Sequence, residues 1–124
     1  MNTVLDAGAF IAIDRGGRDA AAIVVLGRRT GLPITVAPVL TQVWRDGARQ
    51  ARLARFLTTV DVHTVDETAS RRAGELLARA GTSDAVDALV VAAARPGDTV
   101  VTSDPHDIGR LVEARGGDLR VVVV

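Results

Sequence analysis

The chain has 124 residues, 48% of them hydrophobic but only 2% aromatic, and its 15 acidic and 15 basic residues leave no net charge. That length suits one domain, residues 1–124, with a core built from Ala, Val, Leu and Ile, and the neutral balance excludes a global basic field. The absence of cysteine excludes a disulfide framework and a thiolate zinc site, and His63 and His106 alone give little scope for zinc through imidazole.

In chain order, strand and helix patterns alternate. Residues 3–6 read as a strand, followed by a short helix through Ala9-Phe10-Ile11-Ala12-Ile13 that the Arg15-Gly16-Gly17-Arg18 turn breaks. Residues 19–30 read as a second helix, ended by Gly31 and Pro33. Residues 34–37 form a short strand, and Pro38 suits the first turn of a helix that runs to about Asp46. A further helix is expected over 49–58 and a strand over 60–65. Asp66 reads as the N-cap of a helix over 67–80 that Gly81 terminates. Residues 84–95 form a helix apolar on nearly every side, hence buried. A Pro96-Gly97-Asp98 turn leads to a strand over 99–102, a helix over 107–115 and a last strand over 119–124. This alternation predicts an α/β fold whose mostly parallel sheet of about five strands carries helices on both faces, and ligands of such sheets bind beyond the carboxyl ends of the strands. No apolar stretch reaches the roughly 20 residues that cross a bilayer. No basic leader precedes the first strand. The expectation is a soluble, cytoplasmic protein with no membrane partner.

Three aspartates recur where an apolar run meets a turn or a helix start. Asp6 closes Thr3-Val4-Leu5, Asp104 follows Thr99-Val100-Val101-Thr102, and Asp87 lies in the first turn of the buried helix. If the two runs are neighbouring parallel strands, the carboxylates converge at one edge of the sheet. Two carboxylates about 4 Å apart repel by roughly 4 kcal/mol at an effective dielectric near 20, and a divalent cation removes that cost. Each residue has a structural reading too. Asp6 and Asp104 could be turn residues, with Asp104 capping the helix that follows, and Asp84 could cap the buried helix with Asp87 favourable against its dipole. For Asp84 capping is the stronger reading; for Asp87 the shared site is. Asp14, Asp19, Asp46, Asp61, Asp66, Asp98 and Asp118 read as caps, turns and surface. All 15 cations are arginine. Arg45, Arg49, Arg52 and Arg55 recur at helical spacing, either as a solvated face or as a phosphate-contacting rim. Trp44 reads as an anchor of an interface or core edge rather than as a base-stacking platform.

Three segments carry a resemblance. Val4-Leu5-Asp6-Ala7-Gly8-Ala9-Phe10-Ile11 resembles the opening of a PIN domain, Asp87-Ala88-Leu89-Val90-Val91-Ala92-Ala93-Ala94 its internal aspartate helix, and Val100-Val101-Thr102-Ser103-Asp104-Pro105-His106-Asp107-Ile108 its closing Thr-x-Asp segment. Order and length fit over essentially the whole chain, and VapC-type toxins of toxin–antitoxin pairs are the most similar in style. The resemblance implies a three-layer α/β/α PIN-like domain and a Mg²⁺- or Mn²⁺-dependent endoribonuclease that hydrolyses RNA phosphodiesters. It also implies a cognate antitoxin and a homodimer. Asp6, Asp87 and Asp104 would be the catalytic metal ligands. Asp84 and Asp107 are further metal candidates, Thr102 and Ser103 could orient a ligand or a water, and Arg45 and Arg49 could contact RNA. One departure stands out: Gln42 occupies the position where the family usually places a glutamate. An amide oxygen can still coordinate but carries no charge, so the alternative is a degenerate PIN domain that binds RNA or protein with weak or no cleavage. Asp46, four residues on, could compensate. Phe10, Trp44 and Phe56 are candidates for a docking or dimer face.

Overall fold

Five short strands form one parallel sheet: β1 (Thr3–Leu5), β2 (Ile34–Val36), β3 (Asp61–His63), β4 (Thr99–Thr102) and β5 (Arg120–Val123), in the order β3-β2-β1-β4-β5. The computed structural model describes residues 1–29 and 31–124. Among the described residues seven helices link the strands: α1 (Ala7–Arg15), α2 (Arg18–Arg29), α3 (Ala37–Val43), α4 (Ala51–Leu57), α5 (Glu67–Ala80), α6 (Ala85–Ala93) and α7 (Pro105–Ala114). The crossovers β1→β2→β3 run one way along the sheet, whereas β3→β4→β5 run the other. Because parallel crossovers are right-handed, the reversal puts α1–α4 on one face and α5–α7 on the other. The packing agrees: α1 meets α2, α3 and α4, while α5, α6 and α7 meet one another.

The centre of the sheet is aliphatic, as a layer covered on both faces requires. Val4, Leu5, Val100 and Val101 are fully buried, joined by Phe10 and Ile23 from one helical layer and Val90, Val91, Ile108 and Leu111 from the other. At the amino ends of the strands Asp98 is itself buried. Its two carboxylate oxygens accept the Asn2 N–H at 2.7 Å and the Arg95 N–H at 2.8 Å, clasping the chain before β1 to the turn before β4. Arg115 ties α6 to the turn that leads to β5. Its Nη1 donates to the Val91 and Ala94 carbonyls at 2.6 and 2.9 Å, and its Nη2 donates to Asp118 Oδ2 at 3.1 Å.

The expected elements all occur, with shifted ends. The α5 helix has the predicted bounds, capped by Asp66, whose side chain accepts the Ala69 N–H, and closed by Gly81 in the left-handed conformation at φ 67°. The strand expected over 34–37 stops at Val36, because Ala37 already opens α3. The strand expected over 60–65 is reduced to Asp61–His63. The α7 helix begins at Pro105 rather than 107: proline suits a first helical position and the Asp104 side chain caps the helix from behind. The predicted end of the second helix at Thr30 lies outside the described residues.

The largest difference lies between α3 and α4. The helix expected to reach Asp46 ends at Val43, because Gln50 folds back over the chain. Its Oε1 accepts the N–H groups of Arg45 and Asp46 at 2.7 and 2.9 Å, and its Nε2 donates to the Val43 carbonyl at 2.9 Å and to Asp14 Oδ2 at 3.2 Å. Arg45 and Arg49 therefore lie outside any helix, and the four arginines do not share one helical face. The aromatic docking face also dissolves. Phe10 is fully buried and meets Phe56 edge to face, with ring centroids 6.0 Å apart, while Trp44 is exposed beside Gly47.

Candidate functional site

The sheet reverses its direction of winding between β1 and β4, and this is where an open α/β sheet leaves a crevice beyond its strand ends. Three helices begin there, each capped by an aspartate. Asp6 caps α1 and its Oδ1 accepts the Ala7 N–H at 2.8 Å. Asp84 caps α6 and its Oδ1 accepts the Asp87 N–H at 3.0 Å. Asp104 caps α7 and its Oδ1 accepts the Asp107 N–H at 3.2 Å. The capping reading of Asp84 and of Asp104 holds, and capping does not remove them from the crevice. One oxygen of each carboxylate is turned onto its helix, the other remains available on Asp84 and Asp104, and the positive ends of three helix dipoles offset part of the negative charge.

The acidic groups feel one another. Carboxylate oxygens of Asp87, Asp104 and Asp107 all lie within 4.8 Å of each other, close enough to hold one metal ion. Asp87 is buried, and among the described residues no donor bonds its carboxylate. Burial, with the charges of Asp6, Asp84, Asp104 and Asp107, pushes that carboxyl up to about 7. Asp6 is buried too. Burial raises its carboxyl above the ordinary range, the Thr102 hydroxyl and the Ala7 N–H pull it back, and the charges of Asp84 and Asp104 raise it further. Among the described residues none of these five carboxylates has an arginine or histidine as an ion-pair partner. The donor set is all carboxylate oxygen, which suits a hard divalent cation and not a soft one.

Thr102 links the two strand ends. Fully buried at the end of β4, its hydroxyl donates to Asp6 Oδ2 at 2.8 Å and accepts the Asp104 N–H at 2.9 Å. The Asp6 carboxylate is thus held at both oxygens, by its own helix and by Thr102. Ser103 is exposed. Its backbone packs so closely on α1 that a Cβ at Gly8 would stand 2.7 Å from the Ser103 nitrogen, so only glycine lets the β4–α7 turn nest against the first turn of α1.

The structure therefore brings Asp6, Asp84, Asp87, Asp104, Asp107 and Thr102 to one crevice, with Asp107 inside the tightest group and Asp6 just outside it. Gln42 is exposed on α3. Asp46 does not lean toward it, because α3 has already ended. Asp46 Oδ1 accepts the Ala48 N–H at 3.0 Å and its Oδ2 lies 3.7 Å from Arg49 Nε, both within its own turn. Arg45 donates to the Thr41 and Trp44 carbonyls at 3.0 and 2.8 Å, closing α3. His106 is exposed on the first turn of α7, and His63 Nε2 stands 3.0 Å from Asp61 Oδ2 on the edge strand. Sequence reasoning missed the role of Gly8 and underrated Asp107. A signal for the latter was present: Asp84-Ala85-Val86-Asp87 and Asp104-Pro105-His106-Asp107 repeat one spacing, a capping aspartate followed three residues later by a second acid whose N–H it binds.

No family model matches the chain, and no curated protein matches it in sequence. Among solved structures, a chain of VapBC2 from Rickettsia felis, described as bound to a DNA fragment from their promoter, matches over 100% of this chain and 99% of its own, with a TM-score of 0.68 and 16% identity. The fold is PIN-like. At that identity the likeness shows the fold alone, and the chemistry rests on the crevice. No helix among the described residues is long and apolar enough to cross a membrane.

Proposed function

We propose that the chain is a metal-dependent endoribonuclease, the toxin of a toxin–antitoxin pair, acting in the cytoplasm as a single PIN-like domain over residues 1–124. The observation that carries this reading is the group of carboxylates on Asp87, Asp104 and Asp107, joined by the charges of Asp6 and Asp84 and left without a cationic side chain. The fold shared with a VapBC2 chain supports the toxin assignment and a cognate antitoxin partner. A second copy of the chain is the expected partner in a homodimer.

In this reading Asp87, Asp104 and Asp107 hold Mg²⁺ or Mn²⁺, with Asp6 and Asp84 as further ligands, directly or through water. When held there, such a cation would supply polarisation of the scissile phosphate and a water that is easier to deprotonate. Water would add to phosphorus as it gives up a proton to solvent, and the P–O bond to the leaving sugar oxygen would break as that oxygen takes up a proton from solvent. The protein's part is to fix its carboxylates before substrate arrives. Thr102 holds Asp6 and the Asp104 backbone, the helix caps aim Asp84 and Asp104, and the starts of α1, α6 and α7 face the anionic phosphate. Ser103, exposed at the same turn, could orient water, and Arg45 and Arg49 are offered as contacts for the RNA backbone. The test is cleavage of a structured and a single-stranded RNA with Mn²⁺ or Mg²⁺, comparing wild type with Asp87→Asn. Loss of cleavage in the variant supports the site; equal rates contradict it.

Gln42 favours a second reading, a PIN-like module that binds RNA or protein and cuts weakly. The α3 helix offers an amide where the resembled family has a carboxylate, and Asp46 is engaged elsewhere. On this reading Gln42→Glu tightens Mn²⁺ binding by calorimetry and raises cleavage; tight binding and fast turnover by the wild type count against it.

A further inference from the structure

Trp44 is the chain's one tryptophan, and the chain has no tyrosine. Of the aromatic side chains, Phe10 is buried, Phe56 packs on it edge to face, and Trp44 alone stands out to solvent, 40% exposed. The ring is not loose. It lies over Gly47, where a Cβ would stand 2.9 Å from Cζ2 and 3.2 Å from Cη2, so the bare backbone at 47 makes its seat. The turn that carries it is pinned by the hydrogen bonds of Gln50 to Arg45, Asp46, Val43 and Asp14, and by Asp46 Oδ1 accepting the Ala48 N–H. A rigid, flat, apolar surface is thus held in water at the end of α3.

The surroundings narrow what the ring can take. In sequence Trp44 reads as an anchor, but across residues 37–50 it is the only large apolar side chain that is exposed, and Thr41, Gln42, Arg45, Asp46 and Arg49 are exposed around it. A protein interface draws on a contiguous apolar patch, which this segment lacks. A flat ring beside guanidiniums suits a nucleotide, since every base has a face that stacks on an aromatic and its phosphate accepts from arginine. Arg45 is held next to the ring by its bonds to the Thr41 and Trp44 carbonyls, which use Nη1 alone and leave its other two nitrogens for a phosphate. The Arg49 side chain is 88% exposed, and its 3.7 Å approach to Asp46 is a solvent-exposed pair of little strength. The distance to the acidic crevice is also suitable. α3 starts directly after β2, where the Thr35 hydroxyl donates to the carbonyl of Leu5, the residue before Asp6. The helix then carries Trp44 about 10 Å from that strand end at 1.5 Å per residue, roughly three nucleotides of a stacked strand at about 3.4 Å each. We propose that Trp44 is a stacking subsite for one base of single-stranded RNA, outside the acidic crevice, with Arg45 and Arg49 taking the phosphates beside that base. The inference rests on the reading of RNA as the substrate, and it makes unpaired RNA the preferred form, because a duplex hides its base faces.

The test uses the intrinsic fluorescence of the full chain, which reports this ring alone. Titrated in the presence of a chelator, a single-stranded oligouridylate should quench the emission saturably. The same oligomer paired with oligoadenylate, and inorganic polyphosphate, should not. By anisotropy of labelled oligouridylate, Trp44→Ala should bind about tenfold more weakly, the order of one base–aromatic stack, and Trp44→Phe should recover most of that loss; circular dichroism verifies that both variants fold. With Mn²⁺ present, the KM of Trp44→Ala for oligouridylate cleavage should rise about tenfold and its kcat should change far less. Oligouridylate that binds without quenching, equal quenching by duplex or polyphosphate, or equal affinity of Trp44→Ala and wild type overturns the proposal. So does a failure of oligouridylate to bind at all. Emission that shifts with protein concentration in the absence of RNA also overturns it, and gives the ring to a contact between copies of the chain. Failure of the nuclease reading looks different: wild type and Asp87→Asn then cut equally little while oligouridylate still quenches Trp44, and the subsite stands as part of an RNA-binding module.

Discussion

Asp98 and Asp87 are almost equally buried, at 2% and 6% exposure, yet they sit at opposite ends of the sheet and in opposite situations. Asp98 receives a backbone N–H on each oxygen and closes the turn before β4. Asp87 receives none among the described residues and faces four other carboxylates. Burial is the same, so burial does not mark a site. What separates the two is whether the fold supplies the donors that a buried charge requires. At Asp98 it does, and the residue stabilises the fold. At Asp87 it supplies more negative charge instead, an arrangement that destabilises the metal-free protein and fits a cation brought from solution.

The sharpest way to break that contrast is to remove each carboxylate. Asp98→Ala strands two buried N–H groups and should cost about 3 kcal/mol in urea unfolding, hydrogen bonds to a charged group being worth roughly 1.5–3 kcal/mol each. Asp87→Asn should do the reverse. Metal-free stability at pH 8 should rise, by at most about 4 kcal/mol at about 1.4 kcal/mol for each of roughly three pKa units, and by less once solvent screening is counted. RNA cleavage should fall by more than about 100-fold, beyond the range usual for outer-sphere partners of a metal. A loss of stability in Asp87→Asn would place it in the same class as Asp98.

Titration sharpens the same contrast. The Asp87 carboxyl is raised to about 7 from an unfolded value near 4. Between those pH values the folded protein holds a proton that the unfolded chain has lost. Its contribution to stability is complete below pH ~4 and is lost as pH rises through about 7. Asp6, also raised, acts in the same direction. Thermal unfolding of the metal-free protein should therefore show a falling midpoint from pH 5 to pH 8. Asp87→Asn should flatten that slope, and Mn²⁺ should stabilise the wild type more at pH 8 than at pH 5. A midpoint that rises over this range contradicts the account.

Smaller effects should follow at the residues that hold the carboxylates in place. Thr102→Val removes the bridge from Asp6 to Asp104 and should cost about 1 kcal/mol of stability and roughly tenfold in cleavage, with Thr102→Ser restoring most of both. Gly8→Ala drives a methyl into the Ser103 backbone and should destabilise by about 1–3 kcal/mol, as overpacking does.

Much of this was legible in the sequence because it rests on local chemistry. Aliphatic runs of three or four residues marked the central strands, Asp66 and Gly81 bounded α5, and the strand-end aspartates pointed to one edge of the sheet. What stayed hidden depends on contacts distant in sequence or on one side chain's reach. Asp98 read as a turn residue, since its partner Asn2 is 96 residues away. The end of α3 depends on Gln50 bending back to cap Arg45 and Asp46, which no periodicity encodes. Without that turn, the arginines at 45, 49, 52 and 55 looked like one helical face. Phe10 looked available for docking because a short helix that is apolar at every position from Ala9 to Ile13 does not say that a second aromatic, Phe56, closes over it.

The most direct measurement is anomalous diffraction from crystals soaked in Mn²⁺. The account predicts a peak flanked by the carboxylates of Asp87, Asp104 and Asp107 and absent in Asp87→Asn crystals; a peak elsewhere, or none at saturating Mn²⁺, would contradict it.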